Sequence, residues 1–102
     1  MLTPDAKTLQ RLTDERGRPR FLWDLDLTMA QFCERLTDPD PAVSGWMLGR
    51  LLREARPEDA LAFVTPQEIR DAWPNVEPYL GQKRTFWTWL LEQWREAGRV
   101  HD

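Results

Sequence analysis

The stretch P-A-V-S-G-W-M-L-G-R-L-L-R-E-A-R, Pro41 to Arg56, decides the fold. Val43, Met47, Leu48, Leu51, Leu52 and Ala55 recur at three- and four-residue steps. On a helix they form one apolar stripe of the width that faces a core. Asp40 is placed to cap this helix and Pro41 to occupy its first turn, where a missing N–H costs nothing, while Pro57 disfavours helical geometry at Arg56. The opposite face carries Trp46, Arg50 and Arg53, a large aromatic ring with two guanidinium groups, which suits a contact surface better than plain solvation. Gly45 and Gly49 lie one turn apart inside the same helix. Each costs about 1 kcal/mol there relative to alanine, so the pair predicts that another backbone comes close on that side.

Outward from this helix, punctuation by proline and capping residues divides the chain into short helices. Thr3-Pro4-Asp5 opens a first one, to about Glu15, with a thin apolar face at Leu9 and Leu12. Arg16-Gly17-Arg18-Pro19-Arg20 then breaks it as a basic linker. Met29, Phe32, Cys33 and Leu36 form one face of a second helix, begun by a Thr28/Gln31 capping box. Downstream of Pro57, one short helix runs to about Val64. A Thr65/Glu68 capping box starts the next, through about Trp73, and an irregular connection leads to Gly81. The last helix, about Gln82 to Ala97, places Phe86, Trp87, Leu90, Leu91 and Trp94 on its apolar face, leaves Trp89 off it, and has Gly98 as its C-terminal cap. The expected architecture is therefore all-α, a compact bundle of five or six short helices, with a short extended segment near Phe21-Leu25. Residues 1–20 read as an N-terminal helix and basic linker, 21–98 as the helical core domain and 99–102 as a frayed tail.

Composition narrows the function classes. With 102 residues the chain is one domain, and its 14 basic and 17 acidic residues create no global field that would draw it to nucleic acid or anionic lipid. The single cysteine, Cys33, cannot form an intramolecular disulfide. No apolar run approaches the roughly 18 residues of a membrane span, and no secretory signal opens the chain, so a cytoplasmic location is expected. One cysteine and one histidine, His101, give neither a nucleophile-and-base pair nor a transition-metal ligand set. Six tryptophans are more than a small core readily seals. Trp23, Trp46 and Trp89, with Arg50 and Arg53, are the expected partner-binding residues, on the ground that Trp and Arg are the types most often found as interface anchors.

The segment F-L-W-D-L-D-L-T, Phe21 to Thr28, is chemically the most suggestive. Asp24, Asp26 and Thr28 match a D-x-D-x-T pattern that resembles the nucleophile loop of haloacid-dehalogenase-type phosphotransferases. That resemblance implies a nucleophilic first aspartate, a proton-handling second one and a magnesium ion between them. The rest of the sequence lacks the repeated strand patterns and the second acidic motif that such an enzyme uses. Asp24 and Asp26 are expected instead to cap helices or pair with arginines, with magnesium-dependent phosphotransfer as a remote alternative.

A wider resemblance is carried by F-x-W-D-x-D, then G-R-L-L-R-E-A-R-P-E-D-A-L-A-F-V-T-P-Q-E-I, then W-P and F-W-T-W-L-L, together spanning Phe21 to Trp94. This pattern is similar to small uncharacterised bacterial antitoxin-like proteins encoded beside abortive-infection-type nucleotidyltransferase toxins. Trp23, Asp24, Asp26, Gly49, Arg50, Glu58, Asp59 and Trp87 are the positions that carry over. The resemblance implies a non-catalytic protein that binds such a toxin, with no cofactor and no catalytic set. The alternative is a nucleic-acid-binding helical regulator, which requires Arg16 to Arg20, the Arg50/Arg53/Arg56 row and Lys83/Arg84 to converge on one side.

Overall fold

The computed structural model describes residues 1–102 and contains no β-strand; the one isolated bridge pairs Thr13 with Pro19. Seven α-helices follow one another: α1 (Ala6–Leu12), α2 (Met29–Leu36), α3 (Pro41–Glu54), α4 (Pro57–Ala60), α5 (Pro66–Asp71), α6 (Trp73–Val76) and α7 (Arg84–Glu96). Single 3-10 turns at Arg20–Leu22, Glu77–Tyr79 and Gly81–Lys83 join them.

The caps explain most of the boundaries. Thr28 and Gln31 form a reciprocal capping box on α2, Thr65 and Glu68 form another on α5, and Asp40 accepts from the Ala42 amide at the start of α3 with Pro41 behind it. At the start of α1 it is Asp5, two residues after Thr3, that caps the helix by accepting from the Thr8 amide. At the end of α7 Gly98 adopts φ 75°, its amide bonds to the Arg95 carbonyl, and the Arg99 amide reaches back to Trp94. These are the two bonds of a Schellman motif, which needs the left-handed residue that glycine supplies without strain.

The centre of the bundle is α3. Met47, Leu51 and Leu52 are fully buried, and the helix is packed by α2, α4, α6 and all three 3-10 turns. Its glycines do what the sequence suggests. A Cβ built on Gly45 would overlap the Asn75 side chain and lie 2.7 Å from the Asn75 carbonyl oxygen; one on Gly49 would lie 2.8 Å from Tyr79 Cβ and 3.1 Å from the Val76 oxygen. The close backbone is therefore intramolecular, the α6 segment and the turn after it. Beyond α3, the rings of Phe21, Phe32 and Phe63 meet edge to face at centroid distances of 5.3 to 6.1 Å. Trp87 is wholly buried and its indole N–H donates to the Leu52 carbonyl at 3.0 Å, tying α7 to α3.

Three segments depart from the sequence reading. The expected extended stretch at Phe21–Leu25 is a 3-10 turn that continues as turns, with the Leu25 amide bonded to the Leu22 carbonyl at 3.1 Å. Leu22 and Leu25, three apart, point into the core while Trp23 points out, so the alternating pattern is helical phase read over too few residues. The arginine-rich linker is an ordered reversal in which Gly17 has φ 79° and Asp14 accepts from the amides of Arg16 and Arg18. The segment 99–102 is docked rather than frayed. Val100 is buried, the His101 backbone exchanges two hydrogen bonds with Gln67, and Asp102 pairs with Arg70 at 2.7 Å.

Candidate functional site

The turn that ends the Arg20–Leu22 element presents Trp23, which is 79% exposed. Two attachments fix its backbone. Leu22 anchors it to the core from one side, and Asp24 anchors it from the other by accepting from a single Arg50 nitrogen, Nη2, at 2.8 and 2.9 Å to its two oxygens. That hydrogen bond, together with the positive charge of Arg50 and Arg53, holds the Asp24 carboxyl below the usual carboxylate range. Arg50 also lies 3.8 Å from Glu54, which lies 3.5 Å from Arg53. The result is a short charge network, Asp24–Arg50–Glu54–Arg53, beneath an exposed indole.

The five expected contact residues separate on this geometry. Trp23 and Arg53 are exposed and stand at the Asp24 network. Arg50 is not a free surface group: its side chain keeps 14% of its accessible area and its Nε is buried with no hydrogen-bond acceptor. Trp46 is not a free surface group either, because it is partly buried and packed on the core cluster. The reason is the same for both. α3 is wrapped on several sides, so the residues opposite its main apolar stripe also meet neighbours. Trp89 is 55% exposed as expected, but it stands on α7, where its ring neighbour is Phe86 at a centroid distance of 6.2 Å. Phe86, assigned by sequence to the apolar stripe, is itself 38% exposed.

Asp24 and Asp26 differ in surroundings. Asp24 is paired as described, while Asp26 is fully exposed and only 3.9 Å from Arg18 at its nearest cation. Neither caps a helix, since that role at α2 belongs to Thr28. No group of three or more His, Cys, Asp or Glu side chains is assembled to hold a metal ion, and no strand carries the D-x-D-x-T residues. Cys33 lies on the partly buried flank of α2, and burial pushes its thiol above the ordinary value. No helix is long and apolar enough to cross a membrane.

Sequence reasoning missed two features. The first is the role of Asp59, a position carried over in the resemblance with no role attached: it is a buried carboxylate that accepts from Arg11 at 2.7 Å and from Arg56 at 3.4 Å. The Arg11 hydrogen bond and the two guanidinium charges hold its carboxyl below the ordinary range. It fastens α1 to α4, and only a pairing 48 residues apart could have signalled it. The second is a half-open groove of about 490 Å³ beside α5, floored by Leu48, Val64 and Ala72. Its acids are engaged, Glu68 by the Met1 ammonium at 2.6 Å and Asp71 by Gln67 at 2.9 Å, and it holds none of the expected contact residues. Comparison of the chain with family models, with curated proteins and with solved structures found no match.

Proposed function

We propose that this chain is a non-catalytic, cytoplasmic protein-interaction module, an antitoxin-like partner that binds and restrains a nucleotidyltransferase-type toxin. The observation that carries the interaction half is Trp23, an indole left 79% exposed on a turn fastened to the core at Leu22 and to α3 through Asp24 and Arg50. A large apolar ring held out by a pre-ordered backbone can enter a partner's pocket without the cost of ordering a loop. Arg53, exposed and with a charge that reaches Asp24, supplies a guanidinium for an acidic group on that partner. The choice of a toxin as partner rests on the F-x-W-D-x-D to F-W-T-W-L-L resemblance. The non-catalytic half is supported by the engagement of Asp24, the residue that would have to attack phosphorus, with Arg50.

The nucleic-acid alternative requires free, convergent arginines. Arg18, Arg50, Arg53, Arg56 and Arg84 each pair with an aspartate or glutamate; Arg16 and Arg20 are exposed without an ion pair, but no observation brings them together with Arg53 and Lys83 on one side, so none favours it. The deciding experiment is co-expression with the neighbouring gene product. Trp23→Ala should weaken capture roughly 30-fold, the scale of a lost interface anchor, while the thermal midpoint of the isolated protein stays put. Capture undiminished by Trp23→Ala removes this surface. Magnesium-dependent phosphatase turnover abolished by Asp24→Asn replaces the whole reading with an enzymatic one.

A further inference from the structure

The outward side of α7 carries a second stripe that the fold leaves only partly covered. Phe86, Trp89, Leu90 and Gln93 follow the i, i+3, i+4, i+7 steps of one helical face. Phe86, Trp89 and Gln93 are exposed to one side of the Trp87, Leu91 and Trp94 positions that α7 turns to the core, and Leu90 stands at the border, half-buried against the core with one edge on the stripe. Phe86 and Trp89 are 38% and 55% exposed, and their rings lie against each other. Lys83 extends this stripe at its amino-terminal end and Glu96 at its carboxy-terminal end. The other charges nearby are engaged, Arg84 with Glu77 and Arg95 with Glu92 and Asp102. Lys83 and Glu96 have no ion-pair partner within the protomer.

We infer that this stripe is a self-complementary interface, and that its partner is a second copy of this chain packed antiparallel, α7 against α7, about a two-fold axis. The axis passes between Trp89 and Leu90, the midpoint of the stripe. A two-fold there sets each residue opposite the one whose number completes the same sum, so Trp89 meets Leu90 of the partner copy, and Phe86 meets its Gln93. The same operation sets Lys83 opposite the second copy's Glu96, and does so twice, as an isologous interface requires. The apolar centre and the charged ends thus agree on one register, and the antiparallel sense opposes the two helix dipoles. A 13-residue helix is only about 20 Å long. Its one face falls short of the roughly 800 Å² per partner of a standard interface. The pair is therefore weak and concentration-dependent. This inference is independent of toxin capture, which is assigned to Trp23.

Sedimentation equilibrium of the full chain over a dilution series tests it. The wild type should shift from 12.1 kDa towards twice that mass as concentration rises, less readily at high salt. Lys83→Glu should weaken pairing about tenfold or more by setting like charges together at both ends. The double variant Lys83→Glu with Glu96→Lys should restore it, and Trp89→Ala should abolish it with an unchanged circular dichroism melt. Toxin capture by Lys83→Glu should equal that of the wild type, so failure of one proposal is distinguishable from failure of the other. A mass fixed at 12.1 kDa up to the highest soluble concentration overturns the inference. So does a dimer indifferent to Trp89→Ala, or a double variant that fails to recover.

Discussion

The two long helices, α3 and α7, are nearly equal in length and opposite in circumstance. α3 is enclosed by α2, α4, α6 and the 3-10 turns, so even its tryptophan and one of its arginines are consumed by the fold. α7 is held by α5, by the Gly81–Lys83 turn and by the Trp87 indole, and its other side faces solvent with Phe86 and Trp89 on it. The difference teaches that the aromatic surplus of this chain cannot be apportioned by residue type. The same residue, tryptophan, is a wholly buried hydrogen-bond donor at position 87 and a surface ring at position 89. What decides is which side of the helix has neighbours, a tertiary property.

The comparison is broken most severely at Trp87. Trp87→Ala should cost about 4 kcal/mol, since it removes a fully buried indole and leaves the Leu52 carbonyl without its donor. Urea unfolding would read this as a large drop in midpoint. Second comes the enclosure of α3 itself. Gly45→Ala brings a methyl group into the Asn75 backbone, and an overpacking cost of about 3 kcal/mol less the roughly 1 kcal/mol gained in helix propensity leaves a net loss of about 2 kcal/mol. Should Gly45→Ala stabilise the protein, α6 is not seated against α3 as described.

The Asp59 clasp predicts a pH signature of similar size. Its folded-state pKa is depressed, so its contribution is present above about pH 4, the ordinary aspartate value, and fades as pH falls through the lower folded value. Asp59→Asn should therefore lose about 2 kcal/mol at pH 7, with the gap to the wild type narrowing in melts below pH 4. A gap that stays constant down to pH 2 would mean the carboxylate charge is not what Arg11 and Arg56 recognise. The smallest effect sharpens the contrast with Trp87: Trp23→Ala and Trp89→Ala should each move stability by only about 0.5 kcal/mol or less. A large loss at either would place that ring in the core.

What the sequence made legible was local. Capping boxes at Thr28/Gln31 and Thr65/Glu68, proline starts at Pro41, Pro57 and Pro66, and the Gly98 terminator act over three or four residues, and each marks an observed boundary. The Gly45/Gly49 pair was legible too, because its cost in a helix has to be offset by something close. The contact surface was only partly legible. Arg50 looks free until Asp24, 26 residues earlier, folds onto it. Trp46 looks solvent-facing only if α3 has a single buried side. The segment 99–102 offers one apolar residue, Val100, as a hint, and its docking depends on Gln67 and Arg70 far upstream.

The convergence of residues 1–2 and 101–102 on one short stretch has a consequence for chain connectivity. The Leu2 amide bonds to the Phe63 carbonyl and the Met1 ammonium to Glu68, while His101 bonds to Gln67 and Asp102 to Arg70. Those sites span little more than two turns of chain, so residue 102 and residue 1 can be joined through a brief glycine-serine bridge. New ends could then be opened in the exposed turn at Pro39 between α2 and α3. Such a circular permutant should lose the Met1 ammonium pair and keep every helix, an outcome that its far-UV circular dichroism would check.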